Sequence, residues 1–531
     1  MTAVSMGKSE MASKGLKAGA LGLVATTVIG IASTAPGYSL AAGIGGIAGK
    51  VGVKAPFVML FAFIPMACIA AAFFYMNKAD ADCGTNFTWG VRAFGPGAGW
   101  ISGWGCIIAD LVIMPNLAGI SGQYLLLLFR PSLAGNIWLQ TLLGCLFIVA
   151  MCWICFTGIE LSARSQVILL GTELVVLVIF SVVAMAKAFS GSGVSKIADF
   201  TNDDGTVDPN HVYHSIKPSL SWLSPSGVTA GAVVGGLVVA VFAYWGWDTA
   251  VSVNEESSDA NRTPGLAAVL STVLLLAIYL VTSYGVVALL GSDFISQNSG
   301  DAIYAAGKVA LPTVMVKLLV IAILTSAAAS CQTTILPATR TMLSMGSHGG
   351  APGKLAQIDR KHLTPDFSTW LFGGLSIVWY VALVLISHHT TTDAYSASIA
   401  AVGLAICVYY GLSGYSCVWY YRRYLTKTVK NFFLIGFLPL LGAVMLTYIF
   451  GRTIWDAAQK KYTDPPSSLF GVGSVLVIGT VLLVLGVPLM LVCRKKYPAF
   501  FRIKPDPLDT IPDPYGTSGP AAPLGTYVKG A

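Results

Sequence analysis

The chain has 531 residues, 55% hydrophobic and only 11% charged, with a mean hydropathy of +0.73. A soluble domain carries about 25% charged residues, so the composition excludes a water-soluble globular protein, and apolar runs of roughly 20 residues make it a helical membrane protein rather than a barrel. The net charge of +8 comes without any basic run interleaved with aromatics, so it reads as loop topology and not as a nucleic-acid surface.

In chain order, twelve apolar segments are predicted, at 18–47, 55–76, 97–129, 137–158, 163–190, 226–254, 264–291, 312–345, 368–388, 392–421, 431–452 and 470–493. The first 15 residues are polar, and with the length of the hydrophobic run after them this does not fit a cleavable signal. Segment 1 is irregular: VIGIASTAPGYSL (28–40) puts small, polar and helix-breaking residues at membrane depth, where every unpaired backbone group is costly. Segment 3 carries Asp110, Asn116 and Gln123, segment 4 a Cys152/Cys155 pair, and segment 5 Glu173. With no second Cys/His pair nearby, the two cysteines read as small packing residues, and neither a metal site nor a disulfide framework is expected. The longest connection, 191–225, contains NDDGTVDPNHVYH. Segment 6, GLVVAVFAYWGWDTAVSVNEE, carries Gly246 and Asp248 in mid-span. After Lys496 the chain is rich in proline, glycine and polar residues, which predicts a disordered tail.

An even number of spans puts both ends on one side. The connections on that side hold most of the Lys and Arg, among them Lys14, Lys17, Lys78, Arg92, Arg262, Arg360, Lys361, Arg422 and Arg423. Both termini are therefore expected to be cytoplasmic, with the protein in the plasma (cell inner) membrane. On this topology the Asn86-Phe87-Thr88 sequon faces the cytoplasm and is discounted, and His388 and His389 are solvated at an outer loop.

Segments 1 and 6 are interrupted alike, and each opens a group of five spans. An odd group size inverts the second group relative to the first, and discontinuous helices at matching positions of two inverted halves mark a transporter's central site. The expected organisation is a tail 1–17, a first inverted repeat 18–190, an extracytoplasmic loop 191–225, a second repeat 226–421, two further helices 422–493 and a cytoplasmic disordered tail 494–531.

Four stretches, in order, resemble the amino acid–polyamine–organocation (APC) superfamily, in the form of a bacterial-type amino acid permease. They are the broken segment 1, DCGTNFTWGVRAFGPGAGWISGW (82–104), FAYWGWDTAVSVNEESSDANRTPG (242–265) and LPATRTMLSMGSHGGAPGKLAQIDRKHLTP (336–365). The resemblance implies an all-α membrane protein with a LeuT-like fold: twelve transmembrane helices as a 5+5 inverted repeat plus two C-terminal helices, working by alternating access. It also implies import or exchange of amino acids or small amines, often coupled to protons. The chain departs from the family in segment 1, where Ser-Thr-Ala-Pro-Gly stands in place of the usual Gly-x-Gly break.

A broken helix answers both charges of a zwitterion, offering amides to the carboxylate and carbonyls to the ammonium. The amides around Ser33, Thr34 and Ala35 are assigned to the carboxylate, and the Ile31 carbonyl to the amine. By position in the family's span 6, Phe242 is the aromatic gate, and the Phe242 and Trp245 carbonyls, beside Gly246, are further amine acceptors. Trp245 and Trp247 can equally be packing residues.

Asp110, Glu173 and Asp248 each cost about 2.5–3.5 kcal/mol inside a span unless paired or neutralised. They are either protonated, hydrogen-bonded packing groups or proton/ion coupling sites. Relatives coupled to protons often have a lysine near Glu173, so lysine-type coupling is unsupported here. Glu255, Glu256 and Arg262 read as a cytoplasmic gate network.

The leading expectation is a secondary transporter importing an amino acid with protons, with sodium as the alternative coupling ion, no cofactor, and a small molecule and the bilayer as its partners. The alternative is a polyamine or cationic amino acid carrier. An enzyme would need a motif such as HExxH or GxSxG, and a channel a filter repeat; the sequence has neither.

Overall fold

Two backbone positions divide the first apolar run. Ala35 sits in the left-handed region at φ 44° just before Pro36, and Gly52 lies at φ 59°. The run therefore folds as α1 (Leu23–Ser33), α2 (Pro36–Val51) and α3 (Ala55–Ala79). The computed structural model describes residues 14–191, 195–197, 200–201, 207–208, 212–297, 302–389, 394–459, 468–469, 471–515 and 521–528. Part of the predicted N-terminal tail (1–13) and much of the connection 191–225 lie outside the described residues.

The chain continues with α4 (Asn86–Phe94), α5 (Pro96–Phe129), α6 (Ile137–Thr157), α7 (Ile159–Gly191), α8 (Ala230–Tyr244), α9 (Thr249–Ser252) and α10 (Thr263–Leu290). Two short helices follow, α11 (Ser292–Gln297) and α12 (Ala302–Ala310), and then α13 (Thr313–Ser347), α14 (Asp366–His389) and α15 (Ala394–Tyr420). The last two are α16 (Val429–Ala457), π-helical at Phe432–Phe437, and α17 (Ser474–Lys496). The only described strands form three two-stranded antiparallel ribbons in connections. Among the described residues, eleven helical stretches are long and apolar enough to cross a membrane, the first being the 57-residue run Leu23–Ala79 that holds α1 to α3.

Helix α5 packs against α13, α15, α6 and α4, and α1 lies among α7, α10, α13 and α9. Glycines permit the closest approaches, as expected where van der Waals packing holds helices together. A Cβ on Gly144 of α6 would meet the Tyr380 ring at 2.6 Å and the Ala118 carbonyl of α5 at 2.9 Å. The outward face of α6 presents Leu142, Leu146, Val149 and Trp153 at helical spacing, an apolar stripe that suits lipid.

One expectation is corrected. The tail is ordered at 497–515 and 521–528, and it lies along the same end of the bundle as Lys14. The buried Phe500 stacks on Phe87, ring centroids 5.7 Å apart, and Asp506 pairs with Arg92 at 2.8 Å. Tyr424 donates its hydroxyl to the Ile511 carbonyl at 2.8 Å, Lys78 bonds the Pro514 carbonyl at 2.8 Å, and the Ala521 amide bonds the Ala79 carbonyl at 2.9 Å. Composition averaged over the tail hides its few anchors, and free carbonyls beside prolines are ready acceptors. Helix α4, read from sequence only as a connection, is almost wholly buried against α5.

Candidate functional site

Helix α1 stops at Ser33 because the next residues turn back on it. The Thr34 amide and hydroxyl both bond the Ile31 carbonyl, at 3.1 and 2.7 Å, and the Ala35 amide bonds the Ala32 carbonyl at 3.1 Å. The Ile31 carbonyl assigned to the amine, and the Thr34 and Ala35 amides assigned to the carboxylate, are thus engaged within the turn. Pro36 opens α2 and has no N–H, so the first amides left over are those of Gly37 and Tyr38.

Those two amides are met from other helices. The Gly37 amide donates to Glu173 Oε1 of α7 at 2.7 Å, and the Tyr38 amide to Ser326 Oγ of α13 at 3.3 Å. Ser326 in turn donates to Glu173 Oε1 at 2.8 Å. The second carboxylate oxygen, Glu173 Oε2, is buried with no hydrogen-bond partner among the described residues. One turn along α13, and hence on the same face, Ser330 donates to the Ser33 carbonyl at 2.7 Å. The Ser39 hydroxyl bonds the Thr34 carbonyl at 2.6 Å and closes the gap between the half-helices.

The second break, between α8 and α9, meets the first. Gly246 has φ 116°, and a Cβ on it would lie 2.7 Å from the Ser33 carbonyl oxygen. Ser33 Oγ and Thr249 Oγ1 are 2.8 Å apart across the same junction. A small cavity sits at the crossing. Five of the sequence-assigned residues line it: Ser33, Thr34, Ala35, Phe242 and Trp245. Its other walls are Tyr38, Ser39, Ile113, Leu117 and Ser330, which sequence reading did not single out. Its free space, about 10 Å³, suits one water molecule.

Ile31 and Gly246 stand behind the wall, Gly246 as a brace against Ser33. None of the three buried carboxylates lines the cavity. Glu173 holds the start of α2. Asp110, on α5, has the Cys106 thiol 3.8 Å away. Asp248 accepts from the Tyr410 hydroxyl at 2.8 Å and the Tyr409 hydroxyl at 3.0 Å, and Tyr409 also accepts from the Trp245 indole N–H. Trp247 packs edge-on against Phe73, centroids 5.1 Å apart. Two signals were available for the missed partners: the Ser326/Ser330 pair at i, i+4 in an alanine run, and the adjacent Tyr409 and Tyr410 inside an apolar span.

A second polar cluster lies at the end of the bundle that holds Lys14. Asp82 is contacted by Lys14 Nζ at 2.7 Å, His348 Nε2 at 2.8 Å and Ser344 Oγ at 2.6 Å, and Lys14 also pairs with Glu255. Arg340 forks onto Glu256, with contacts of 3.0 and 3.1 Å. In the expected gate network, Glu255 and Glu256 thus pair with Lys14 and Arg340 in place of Arg262. Burial alone would raise the Asp82 carboxyl, but the neighbouring Lys14 and His348 overcome it and hold Asp82 well below the usual carboxylate range. Burial opposes the charge on Lys14, yet Asp82 and Glu255 keep its ammonium pKa raised. Asp82, Cys83 and Glu255 offer ligand atoms within 4.8 Å of one another, but the Lys14 ammonium already sits between the two carboxylates and pairs with both.

Comparison with known proteins adds two findings. The amino acid permease family matches the chain over residues 20–478. The chain is also similar to a branched-chain amino acid permease of Bacillus subtilis, 23% identical over 383 residues that span 67% of this chain and 73% of the relative.

Proposed function

Because this chain belongs to the amino acid permease family of the APC superfamily, we propose that it carries a neutral amino acid with an apolar side chain across the plasma membrane by alternating access, as a proton-coupled importer. The observation that carries this reading is the meeting of the two helix breaks, Ser33 against Gly246, around a shared cavity. In this scheme α1 and α2 form one broken crossing and α3 the next, giving twelve crossings: two inverted groups of five and two further helices. Lys14 and the ordered tail then mark the cytoplasmic end.

The substrate class follows from the walls. Ile113, Leu117, Phe242 and Trp245 offer apolar surface, while Ser33, Thr34, Ser39 and Ser330 offer small polar groups. A cationic side chain would need a carboxylate at the wall, and Asp110, Glu173 and Asp248 all lie behind it. The branched-chain specificity in the name of the Bacillus relative agrees. A free space for one water cannot hold an amino acid, so binding requires the half-helices to separate.

Glu173 is the favoured coupling group. While ionised it claims the Gly37 amide and repels a nearby substrate carboxylate. A proton on Glu173 removes the repulsion and weakens its hold on that amide, which then passes to the substrate. Proton and substrate thus favour each other's binding, as symport requires. The test is counterflow of radiolabelled leucine in proteoliposomes holding the purified full-length chain. Saturable exchange supports the reading; leucine flux equal to that of empty liposomes, with alanine and valine equally inert, removes it.

A further inference from the structure

Asp248 lies outside the cavity but reaches its wall through a single bridging side chain. We infer that Asp248, acting through Tyr409, positions the Trp245 indole and so sets which substrate side chains the cavity admits; this rests on the reading of that cavity as the substrate site. Trp245 belongs to the broken stretch after α8, with extended backbone at φ −72° and ψ 146°. No helix flanks its own backbone on the following side, so its ring must be held by side-chain contacts. Its one polar atom, Nε1, donates to the Tyr409 hydroxyl.

A phenol has one proton. With its oxygen accepting from the indole, Tyr409 gives that proton to Asp248 Oδ2 at 3.0 Å. The direction of each bond depends on the next: indole to phenol, phenol to carboxylate. A charged acceptor at the end of the chain strengthens both links. Tyr410 bonds the other oxygen, Oδ1, at 2.8 Å, whereas the indole N–H of Trp245 bonds Tyr409. The two tyrosines are therefore chemically matched neighbours, and only one lies on the path to the cavity. Asp248 touches no substrate in this scheme; it is a positioning residue.

The test uses the full-length protein in proteoliposomes, with leucine and alanine as probes. Asp248→Asn and Tyr409→Phe should each lower the leucine-to-alanine ratio of kcat/KM by roughly tenfold, the discrimination that a few methylenes in a shaped pocket provide. Tyr410→Phe should hold that ratio within about twofold of the parent protein. The emission of Trp245, obtained by subtracting the spectrum of Trp245→Phe from that of its parent in each background, should shift to the red in Asp248→Asn and Tyr409→Phe and not in Tyr410→Phe. Unchanged ratio and emission in the first two variants would overturn the inference, as would an equal effect of all three. If the parent protein exchanges neither probe, the substrate-site reading fails, and the emission difference alone still decides whether Asp248 positions the indole.

Discussion

Gly246 stands so close to the Ser33 carbonyl that a Cβ on it would come within 2.7 Å of the oxygen. Residues 213 positions apart thereby join two interrupted helices at one point, and the cavity opens beside that contact. Replacing Gly246 by alanine adds the clash to the strain of φ 116°, a cost of about 1–3 kcal/mol for the backbone alone. Gly246→Ala should lower the melting temperature in detergent and reduce leucine counterflow at least tenfold. A variant with the parent's melting point and flux would show that the breaks need not touch.

The Glu173 side chain can be tested without losing the acceptor that Gly37 uses. Glu173→Gln keeps a carbonyl oxygen for that amide but cannot cycle a proton. Accumulation of leucine driven by a pH gradient should vanish, while exchange of leucine for leucine persists. Undiminished accumulation in this variant would end the coupling proposal.

Ser330 supplies a hydroxyl to the Ser33 carbonyl at 2.7 Å. Ser330→Ala strands that buried carbonyl, at about 1–3 kcal/mol, and should raise KM for leucine more than it lowers kcat. Ser330→Thr keeps the hydroxyl and should restore most of the loss. Thermal melts and uptake kinetics on the pair separate the hydrogen bond from simple packing.

The Lys14 cluster makes a prediction about pH. Asp82 is held below its ordinary value of 3.8, so its stabilising contribution is complete above that value and fades only as pH falls towards the folded one. Lys14 is raised above 10.5, so its contribution is complete below that value and fades only in stronger alkali. The pair therefore leaves stability flat across neutral pH. Lys14→Met leaves buried Asp82 with His348 as its remaining cationic neighbour and takes the ammonium from Glu255, costs about 3–5 kcal/mol, and removes the charge that most lowers Asp82: its folded affinity for protons rises, so stability falls as pH climbs from acid to neutral. Melting curves at several pH values check the slope, and a flat profile in the variant would refute the burial argument.

The ordered tail should matter to stability. Removing residues 497–531 uncovers Phe87 and leaves Arg92 with Asp80 alone, 2.5 Å away. The truncated chain should melt several degrees lower, and Asp506→Asn should reproduce part of that loss. Equal melting temperatures would mean that these contacts contribute nothing measurable.

Much of the helix pattern could be read directly from hydropathy. The segment expected at 431–452 is α16, Val429–Ala457, and the interruptions expected at Ser33–Gly37 and Gly246 are where α1 and α8 give way. Both follow from local chemistry: transfer of apolar side chains into lipid is nearly additive along the chain, and Pro36 and Gly246 act on their own backbone. Five wall residues were legible for the same reason, because they sit at or beside the breaks.

The sequence by itself therefore determined a multi-pass helical protein, the places where two of its helices break, and the family it resembles. Only the tertiary structure decided who satisfies those breaks. It brings Glu173 to Gly37, Ser326 to Tyr38, Ser330 to Ser33 and Tyr409 to Trp245, with each pair well over a hundred residues apart. It also turned the Thr34 and Ala35 amides inward and laid the tail on the bundle. Hydrogen bonds have short range and strict direction, so their partners are set by how helices pack in space, which no local property of the chain records.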